Sequence, residues 1–301
     1  MKISRRQILC GSAWSAGVAL SRLAHAADGA QSSFGPLCVF AKPLQWLSFE
    51  DLADLLVQQR WDGIEATVRR DGQVEPDAVR TELPRLVDAL AAKGKKVVLF
   101  ASDINSPDQP DAETTLRTAA KLGIRYYRMA YYRYDLDQPI LPQLDQFTKQ
   151  IETLVSLNRE LGMTALYQNH AGTRYVGAGL WDLHRLLESQ PKEHLAAAFD
   201  IRHATVEAGT TWPVHWSILK PHVGALYFKD FQWRGGKVEN VPLGTGLVDA
   251  AFFKSLRTQP IEGIPVSVHM EYIDHRKPEL IKQSIEAVAN DRNAVERLLG
   301  I

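Results

Sequence analysis

Short apolar runs alternate with amphipathic stretches along the chain from about residue 37 onwards. Short apolar and β-branched runs are typical of buried parallel strands, whereas apolar positions that recur every three or four residues are typical of helices. Eight such pairs follow one another with no Pro-, Gly- or Ser-rich linker to indicate a second domain. The predicted strands are residues 37–41, 63–68, 96–101, 125–130, 164–167, 195–199, 224–228 and 265–269. Eight strand-helix units joined by right-handed crossovers close into a barrel, so the sequence predicts a single α/β domain, a (β/α)8 TIM barrel.

The predicted helices carry start and stop signals. Ser48 lies three residues before Asp51, and Asp111 three before Thr114, so each offers a side-chain oxygen to the unpaired amides of a first turn. Three glycines stand where a left-handed residue would end a helix before a strand: Gly94, Gly123 and Gly162. An open doubly wound sheet is the alternative fold, and the absence of a Gly-rich dinucleotide loop after the first strand counts against it.

Residues 1–26 predict an export signal. The pair Arg5-Arg6 precedes an apolar run that is too short to span a bilayer, and Ala24-His25-Ala26 has the small-x-small pattern of a cleavage site. The barrel domain is therefore expected to cover residues 27–301. Export by the twin-arginine route predicts a periplasmic protein that is not attached to a membrane after cleavage.

Composition narrows the choice of partners. The sequence has 35 basic and 35 acidic residues, and residues 1–26 contain four of the basic ones and none of the acidic ones, which leaves 31 against 35. This mildly acidic balance, without basic runs, argues against nucleic acid as the partner. Cys38 is the one cysteine after residue 26, so a core rather than a disulfide must stabilise the domain. The apolar end of the last helix, residues 298–301, could serve a homodimer or close the barrel.

Polar side chains collect at the predicted carboxyl ends of the strands, where barrels of this kind place their active sites. A lone Asp there is usually a helix cap, and a lone Lys or Arg is usually a solvated charge. Carboxylates and histidines together, however, could bind a divalent ion through oxygen and nitrogen. The residues at these ends are Lys42, Glu65, Arg69, Asp103, Arg128, Gln168, Asn169, His170, Asp200, His203, Lys229, Asp230, His269 and Glu271.

The segment after the seventh predicted strand has two further features. Trp233 offers a flat apolar face on which a sugar ring could stack. Residues 234–246 form a long excursion before the next helix, and such an excursion over a barrel mouth is typical of a lid or specificity loop.

Six short segments carry a resemblance to a known family. They resemble, in this order, motifs of the xylose-isomerase-like sugar phosphate isomerase/epimerase superfamily, over nearly all of the chain after residue 26. The segments are Asp62-Gly63-Ile64-Glu65, Tyr167-Gln168-Asn169-His170, Phe199-Asp200-Ile201-Arg202-His203-Ala204, Phe228-Lys229-Asp230-Phe231, Pro242-Leu243-Gly244-Thr245-Gly246 and His269-Met270-Glu271-Tyr272.

The resemblance implies a divalent metal, Mn, Mg or Zn. In the superfamily the ion lies between an acid ending strand five, the Asp of a D-x-x-H segment ending strand six, a histidine on strand seven and a glutamate ending strand eight. Asp200 and Glu271 match two of these positions. The strand-five acid is replaced by Gln168, which could still bind through oxygen. The predicted metal ligands are therefore Gln168, Asp200 and Glu271, with His170 or His269 completing the shell.

A second departure is at strand seven, where Tyr227 stands in place of the superfamily's histidine. Because Gln168 cannot act as a base, the sequence favours a one-face reaction over a two-carboxylate epimerisation. In such a reaction a proton is removed next to a sugar carbonyl and a leaving group is then expelled. The superfamily includes lyases that act in this way on 3-keto-glycosides, at sugar carbons 1 and 2.

The predicted catalytic residues are His170, Glu271 and Lys229. His170 or Glu271 would take the proton, and Lys229 or the metal would stabilise the oxyanion. The predicted substrate-binding residues are Glu65, Arg69, Arg128, Asn169, His203, His269 and Trp233. Of these, Arg69 and Arg128 would hold sugar hydroxyls or the phosphate of a phosphorylated sugar.

Three alternatives stay open at this point. The protein could be a free-sugar isomerase or epimerase, or a degenerate barrel that binds a sugar without turning it over. An endonuclease of the same fold is the third, and it would need a denser His and Glu set and a basic face.

Overall fold

Eight parallel strands close into a barrel in the computed structural model, which describes residues 34–301. The barrel strands are β1 (Leu37–Phe40), β2 (Gly63–Thr67), β3 (Lys96–Ala101), β4 (Tyr126–Arg128), β5 (Thr164–Gln168), β6 (Leu195–Asp200), β7 (Val223–Phe228) and β10 (Val266–Val268). Two further strands, β8 (Asp230–Arg234) and β9 (Lys237–Val241), form a separate hairpin. β1 closes the barrel by pairing with both β2 and β10. The predicted barrel is confirmed, and the predicted export signal lies outside the described residues.

Helices fill the connections between the strands. They are α1 (Phe49–Gln58), α2 (Val79–Ala91), α3 (Ala112–Lys121), α4 (Ile140–Leu161), α5 (Trp181–Leu187), α6 (Ile201–Ala208), α7 (Trp212–Leu219), α8 (Ala250–Thr258) and α9 (Ile281–Leu299). None of the helices within residues 34–301 is long and apolar enough to cross a membrane. α9 packs Val288, Val295 and Leu299 into the core and so helps to close the barrel.

Most of the predicted helix starts and ends are confirmed. Ser48 Oγ accepts a hydrogen bond from the Asp51 amide at 3.0 Å and caps α1. The expectation for Asp111 was wrong: this residue adopts a left-handed backbone with φ 60° and makes no capping hydrogen bond with its side chain. A helix cap normally needs an extended backbone to present its oxygen to the first turn. The glycine at 162 ends α4 with φ 64°, as predicted.

Two apolar layers hold the barrel. A large layer packs between the strands and the surrounding helices, and a small cluster fills part of the barrel interior. The interior cluster consists of Cys38, Val98, Leu99, Leu166, Ala196, Ala198, Ala225 and Tyr227. Because the interior is packed, a ligand can enter only at the carboxyl ends of the strands, where polar side chains replace apolar ones.

Candidate active site

A cavity of 150 Å³ lies at the carboxyl ends of the barrel strands. This volume is below the roughly 300–1,000 Å³ of pockets that enclose drug-sized ligands, so the cavity suits a small molecule. Its lining residues come from the last residues of several strands and from the loops that follow them. They are Phe40, Lys42, Arg69, Arg128, Tyr131, Gln168, His170, Lys229, His269 and Glu271.

Lys229 provides a buried cation in this site. Its Nζ donates to Oε2 of Glu271 at 3.0 Å and lies 3.1 Å from Oδ2 of Asp200. Burial opposes the charged form of Lys229, but the charges of Asp200 and Glu271 outweigh it and raise the pKa of the lysine. Lys229 is therefore an ammonium group. One of its three N–H groups donates to Glu271, and Asp200 balances its charge through an ion pair.

Glu271 lies between two lysines. Its Oε1 is 3.5 Å from Nζ of Lys42, and its Oε2 accepts from Lys229. Burial would raise the pKa of Glu271, but Lys229, then His269 and Lys42, hold it well below its usual range. Both of its carboxylate oxygens are thus engaged by lysines and are not free to approach a substrate C–H group. The geometry therefore favours the other predicted base, His170.

One ring nitrogen of His170 has no hydrogen-bond partner among residues 34–301. Its Nδ1 lies 2.8 Å from the Ala171 carbonyl oxygen, which can only accept, so Nδ1 carries the hydrogen and Nε2 has the lone pair. Burial, followed by the charge of Lys229, lowers the pKa of His170 to about 4. The imidazole is thus neutral near pH 7. Its ring is fixed by contacts with the rings of His203, at a centroid distance of 4.0 Å, and Tyr175, at 4.4 Å.

A chain of hydrogen bonds links Arg128 to Asp200. Arg128 Nη1 donates to the Tyr131 hydroxyl at 2.7 Å, and this hydroxyl donates to Gln168 Oε1 at 2.6 Å. Gln168 Nε2 in turn donates to Asp200 Oδ2 at 2.7 Å. The chain fixes the orientation of the Gln168 amide, with its oxygen towards Tyr131 and its NH2 towards Asp200.

Asn169 and His203 support Asp200 and do not line the cavity. The Asn169 side chain donates to the Asp200 carbonyl at 2.9 Å and accepts from the Asp200 amide at 2.7 Å. Asp200 Oδ1 caps α6 by accepting from the His203 amide. His203 Nδ1 accepts from Arg202, and its buried Nε2 points towards Asp200 Oδ2 at 3.6 Å. These two residues, predicted to bind substrate, are placed to position Asp200.

Glu65 is the centre of a buried polar cluster. Its Oε2 accepts from Ser267 Oγ at 2.6 Å and lies 2.8 Å from His269 Nε2, while its Oε1 accepts from the Tyr227 hydroxyl at 3.1 Å. Burial would raise the pKa of Glu65, but His269 and Arg128 outweigh it and lower the pKa. Glu65 therefore orients His269, whose ring stacks on Phe40 at the cavity wall.

Asp230 organises the loop after the hairpin. Its carboxylate accepts four backbone N–H groups, from Phe231, Gly244, Gly246 and Val248. Gly244 has φ 80°, and a Cβ at Gly246 would lie 2.2 Å from a backbone oxygen, so both positions need glycine. The predicted excursion at 234–246 is thus a hairpin followed by an anchored loop.

Sequence reasoning placed most of the cavity residues but missed Phe40 and Tyr131, which also line the cavity. Lys42 was identified at the end of the first strand without an assigned role. Trp233, predicted to stack on a sugar, lies on β8 outside the lining, with half of its surface exposed.

The predicted metal ligands do not form a set that suits a divalent ion. Gln168 turns its NH2 towards Asp200 and uses its oxygen for Tyr131. The Lys229 ammonium already bridges Asp200 and Glu271, and it would repel a second cation placed there. Within residues 34–301, no group of three or more His, Cys, Asp or Glu side chains could hold a metal ion.

Solved structures with the same barrel support the fold. A probable 3-DHS dehydratase from Bacillus anthracis aligns with a TM-score of 0.62 at 15% identity, covering 85% of this chain and 99% of that chain. The 3-keto-D-glucoside 4-epimerase YcjR from E. coli aligns with a TM-score of 0.61 at 14% identity, covering 87% and 100%. The IolI protein, solved with a zinc atom, aligns with a TM-score of 0.64 at 15% identity, covering 88% and 98%.

Sequence comparisons give the family directly. No curated protein matches the chain significantly. The family model described as "Xylose isomerase-like TIM barrel" matches residues 54–290, which is more than half of the chain. The chain therefore belongs to the xylose isomerase-like TIM barrel family.

Proposed function

We propose that the protein is an enzyme that removes a proton next to the carbonyl group of a small carbohydrate. One observation carries the proposal: the free Nε2 of neutral His170 and the ammonium of Lys229 line the same small cavity. A base and a fixed cation on one cavity are the two groups that enolate formation requires.

The proposed reaction uses the lone pair of His170 Nε2 and an N–H group of Lys229. His170 Nε2 takes the proton from the carbon beside the carbonyl, and the electron pair of the broken C–H bond moves to the carbonyl oxygen. An N–H group of Lys229 that does not bind Glu271 donates to this developing oxyanion. Asp200 and Glu271 hold the ammonium in place during the reaction.

The fate of the enolate separates two activities. In a 3-keto-glycoside, proton loss at carbon 2 allows the C1–O bond to break, so that a double bond forms between carbons 1 and 2 and the aglycone leaves with a proton. We favour this elimination because Glu271, the other predicted base, is tied to two lysines and is poorly placed to return a proton from a second side. A similar barrel, the 3-keto-D-glucoside 4-epimerase, is named for a substrate of this class.

A direct experiment uses a 3-keto-glucoside with a chromogenic aglycone. Release of the aglycone by the purified protein would support elimination. Formation of an epimer with solvent deuterium and no release would instead assign the protein as a free-sugar isomerase or epimerase. Tight binding without either reaction would assign it as a sugar-binding barrel and would overturn the proposal.

We further propose that the protein works in the periplasm after export by the twin-arginine route. The support is the order of Arg5-Arg6, the apolar run and Ala24-His25-Ala26. Cell fractionation of the wild type and of a variant with Arg5→Lys and Arg6→Lys tests this. Periplasmic protein in the wild type alone is the expected result, and equal distribution of the two would contradict it.

A further inference from the structure

The walls of the cavity carry an excess of positive charge. One carboxylate, Glu271, faces four cationic side chains that line the same 150 Å³ space. These are Lys42, Arg69, Arg128 and Lys229. Holding like charges around a small, partly buried space is unfavourable unless opposite charge is supplied.

The positive charges of the two lysines are balanced by carboxylates of the protein. Lys229 contacts Asp200 and Glu271, and Lys42 lies 3.5 Å from Glu271. These contacts use both acidic groups on this side of the cavity. The other two cations of the cavity wall are the arginines.

The guanidinium group of Arg128 uses only part of its hydrogen-bonding capacity within the described residues. It is 6% exposed, its Nη1 donates to the Tyr131 hydroxyl, and its buried Nε has no hydrogen-bond partner within the described chain. The nearest carboxylate oxygen, Oε1 of Glu65, is 3.8 Å from this Nε. That carboxylate already accepts from Tyr227 and Ser267.

Arg69 has no direct partner. Within residues 34–301 its guanidinium makes no hydrogen bond and no ion pair, although it is half-buried. Burial and then the charge of Arg128 lower the pKa of Arg69, and Asp103 and Glu65 offset this only from beyond ion-pair distance. Two guanidinium groups thus face one cavity, and within the described residues the carboxylate nearest to either of them is Glu65, 3.8 Å from Arg128 Nε.

We propose that the substrate carries an oxyanion, a carboxylate or a phosphate, that binds between Arg69 and Arg128. Guanidinium groups bind both anions through paired, charge-assisted hydrogen bonds. The substrate class that follows is a sugar acid or a sugar phosphate with its carbonyl directed towards Lys229. This inference rests on the proposed function for the carbonyl chemistry, whereas the anion site rests only on the arginines.

Calorimetric titration tests the anion site without any turnover. The probes are glucuronate, glucose 6-phosphate and glucose, at one ionic strength. We expect the anionic probe that fits the site to bind roughly ten- to hundredfold more tightly than glucose. The comparison of glucuronate with glucose 6-phosphate distinguishes a carboxylate from a phosphate.

A matched pair of variants locates the effect. Arg69→Gln removes the unpartnered charge and should abolish the preference for the anion. Arg70→Gln removes the same charge from the exposed neighbouring residue, which does not line the cavity, and should leave the preference unchanged. Equal binding of all three probes, or a preference that survives in Arg69→Gln, would overturn the inference.

The outcome is separable from that of the proposed function. Anion binding without deuterium exchange in a bound keto sugar acid would keep the anion site and reject the reaction. Turnover of a neutral 3-keto-glucoside without any anion preference would keep the reaction and reject the anion site.

Discussion

The ammonium nitrogen of Lys229 lies 3.1 Å from Oδ2 of Asp200, at the end of β6 where the resemblance places a metal ligand. A lysine in this position supplies positive charge from the protein itself. The same Asp200 oxygen accepts from the Gln168 amide, which stands where the superfamily has an acid. The glutamine at position 168, where the superfamily has an acid, and the ion pair of Lys229 with Asp200 are therefore consistent with one another.

The first prediction concerns metal content. The purified protein should contain no stoichiometric divalent metal, and EDTA should not lower its melting temperature, because Lys229 bridges the two carboxylates that a metal would need. Elemental analysis and thermal melting with and without EDTA measure this. About one tightly held ion per chain, with a lower melting temperature after EDTA, would contradict the prediction.

Lys229→Met should strongly destabilise the fold. The change leaves Asp200, which is fully buried, without its cation, and breaking a buried ion pair from one side costs about 3–5 kcal/mol. Urea unfolding measures the free energy of unfolding. Lys254→Met, on the exposed face of α8, is the control and should change it little. Equal stability of the two variants would show that the pair contributes nothing.

His170→Ala should abolish most of the activity and preserve the fold. Loss of a general base typically lowers the rate by about 10²–10⁴-fold. Aglycone release and circular dichroism measure the two properties. His184→Ala, on α5 and away from the cavity, serves as the control. Wild-type rates in His170→Ala would remove this residue from the mechanism.

The contribution of Asp291 to stability should fall as the pH rises from about 4 to about 7. Burial raises the pKa of this carboxyl from 3.8 to about 7 in the folded protein. The folded state therefore binds this proton more tightly, so the contribution of Asp291 to stability is complete below about pH 4 and is lost as the pH rises through 7. The scale is on the order of 1.4 kcal/mol per pKa unit.

Asp291→Asn isolates this effect. The amide resembles the protonated acid and can still accept from the Leu243 amide and the Tyr272 hydroxyl, as Asp291 does. In urea unfolding, the free energy of unfolding of the variant relative to that of the wild type should increase from pH 4 to pH 8, because only the wild type loses the contribution of Asp291. An unchanged pH dependence would mean that Asp291 titrates normally.

The barrel was predictable because its signals are local and repeated. The barrel strands are short, mostly apolar runs, and the polar residues at their ends meet because parallel strands end at one side of a barrel. The hairpin of β8 and β9 was missed because its residues are mostly polar and only partly buried. Its strands pair with each other rather than with the barrel, so no core pattern marks them.

The site was less predictable than the fold. The sequence identified Gln168, Asp200 and Glu271 as a group but could not show that Lys229 bridges two of them. Tyr131 was missed because it lies in a loop, and its role depends on a hydrogen bond to Gln168, 37 residues away. Such roles depend on side-chain direction, which spacing along the chain does not determine.

Solvent exchange at the carbon beside the carbonyl tests the central claim most directly. A 3-keto-glucoside, and a 3-keto-glucuronide as its anionic counterpart, would be incubated with the protein in D2O and followed by NMR. We expect the carbon-2 hydrogen to be lost with the aglycone, or replaced by deuterium, in the wild type but not in His170→Ala. The account would be contradicted if the wild-type protein bound the substrate but the substrate kept both its carbon-2 hydrogen and its aglycone.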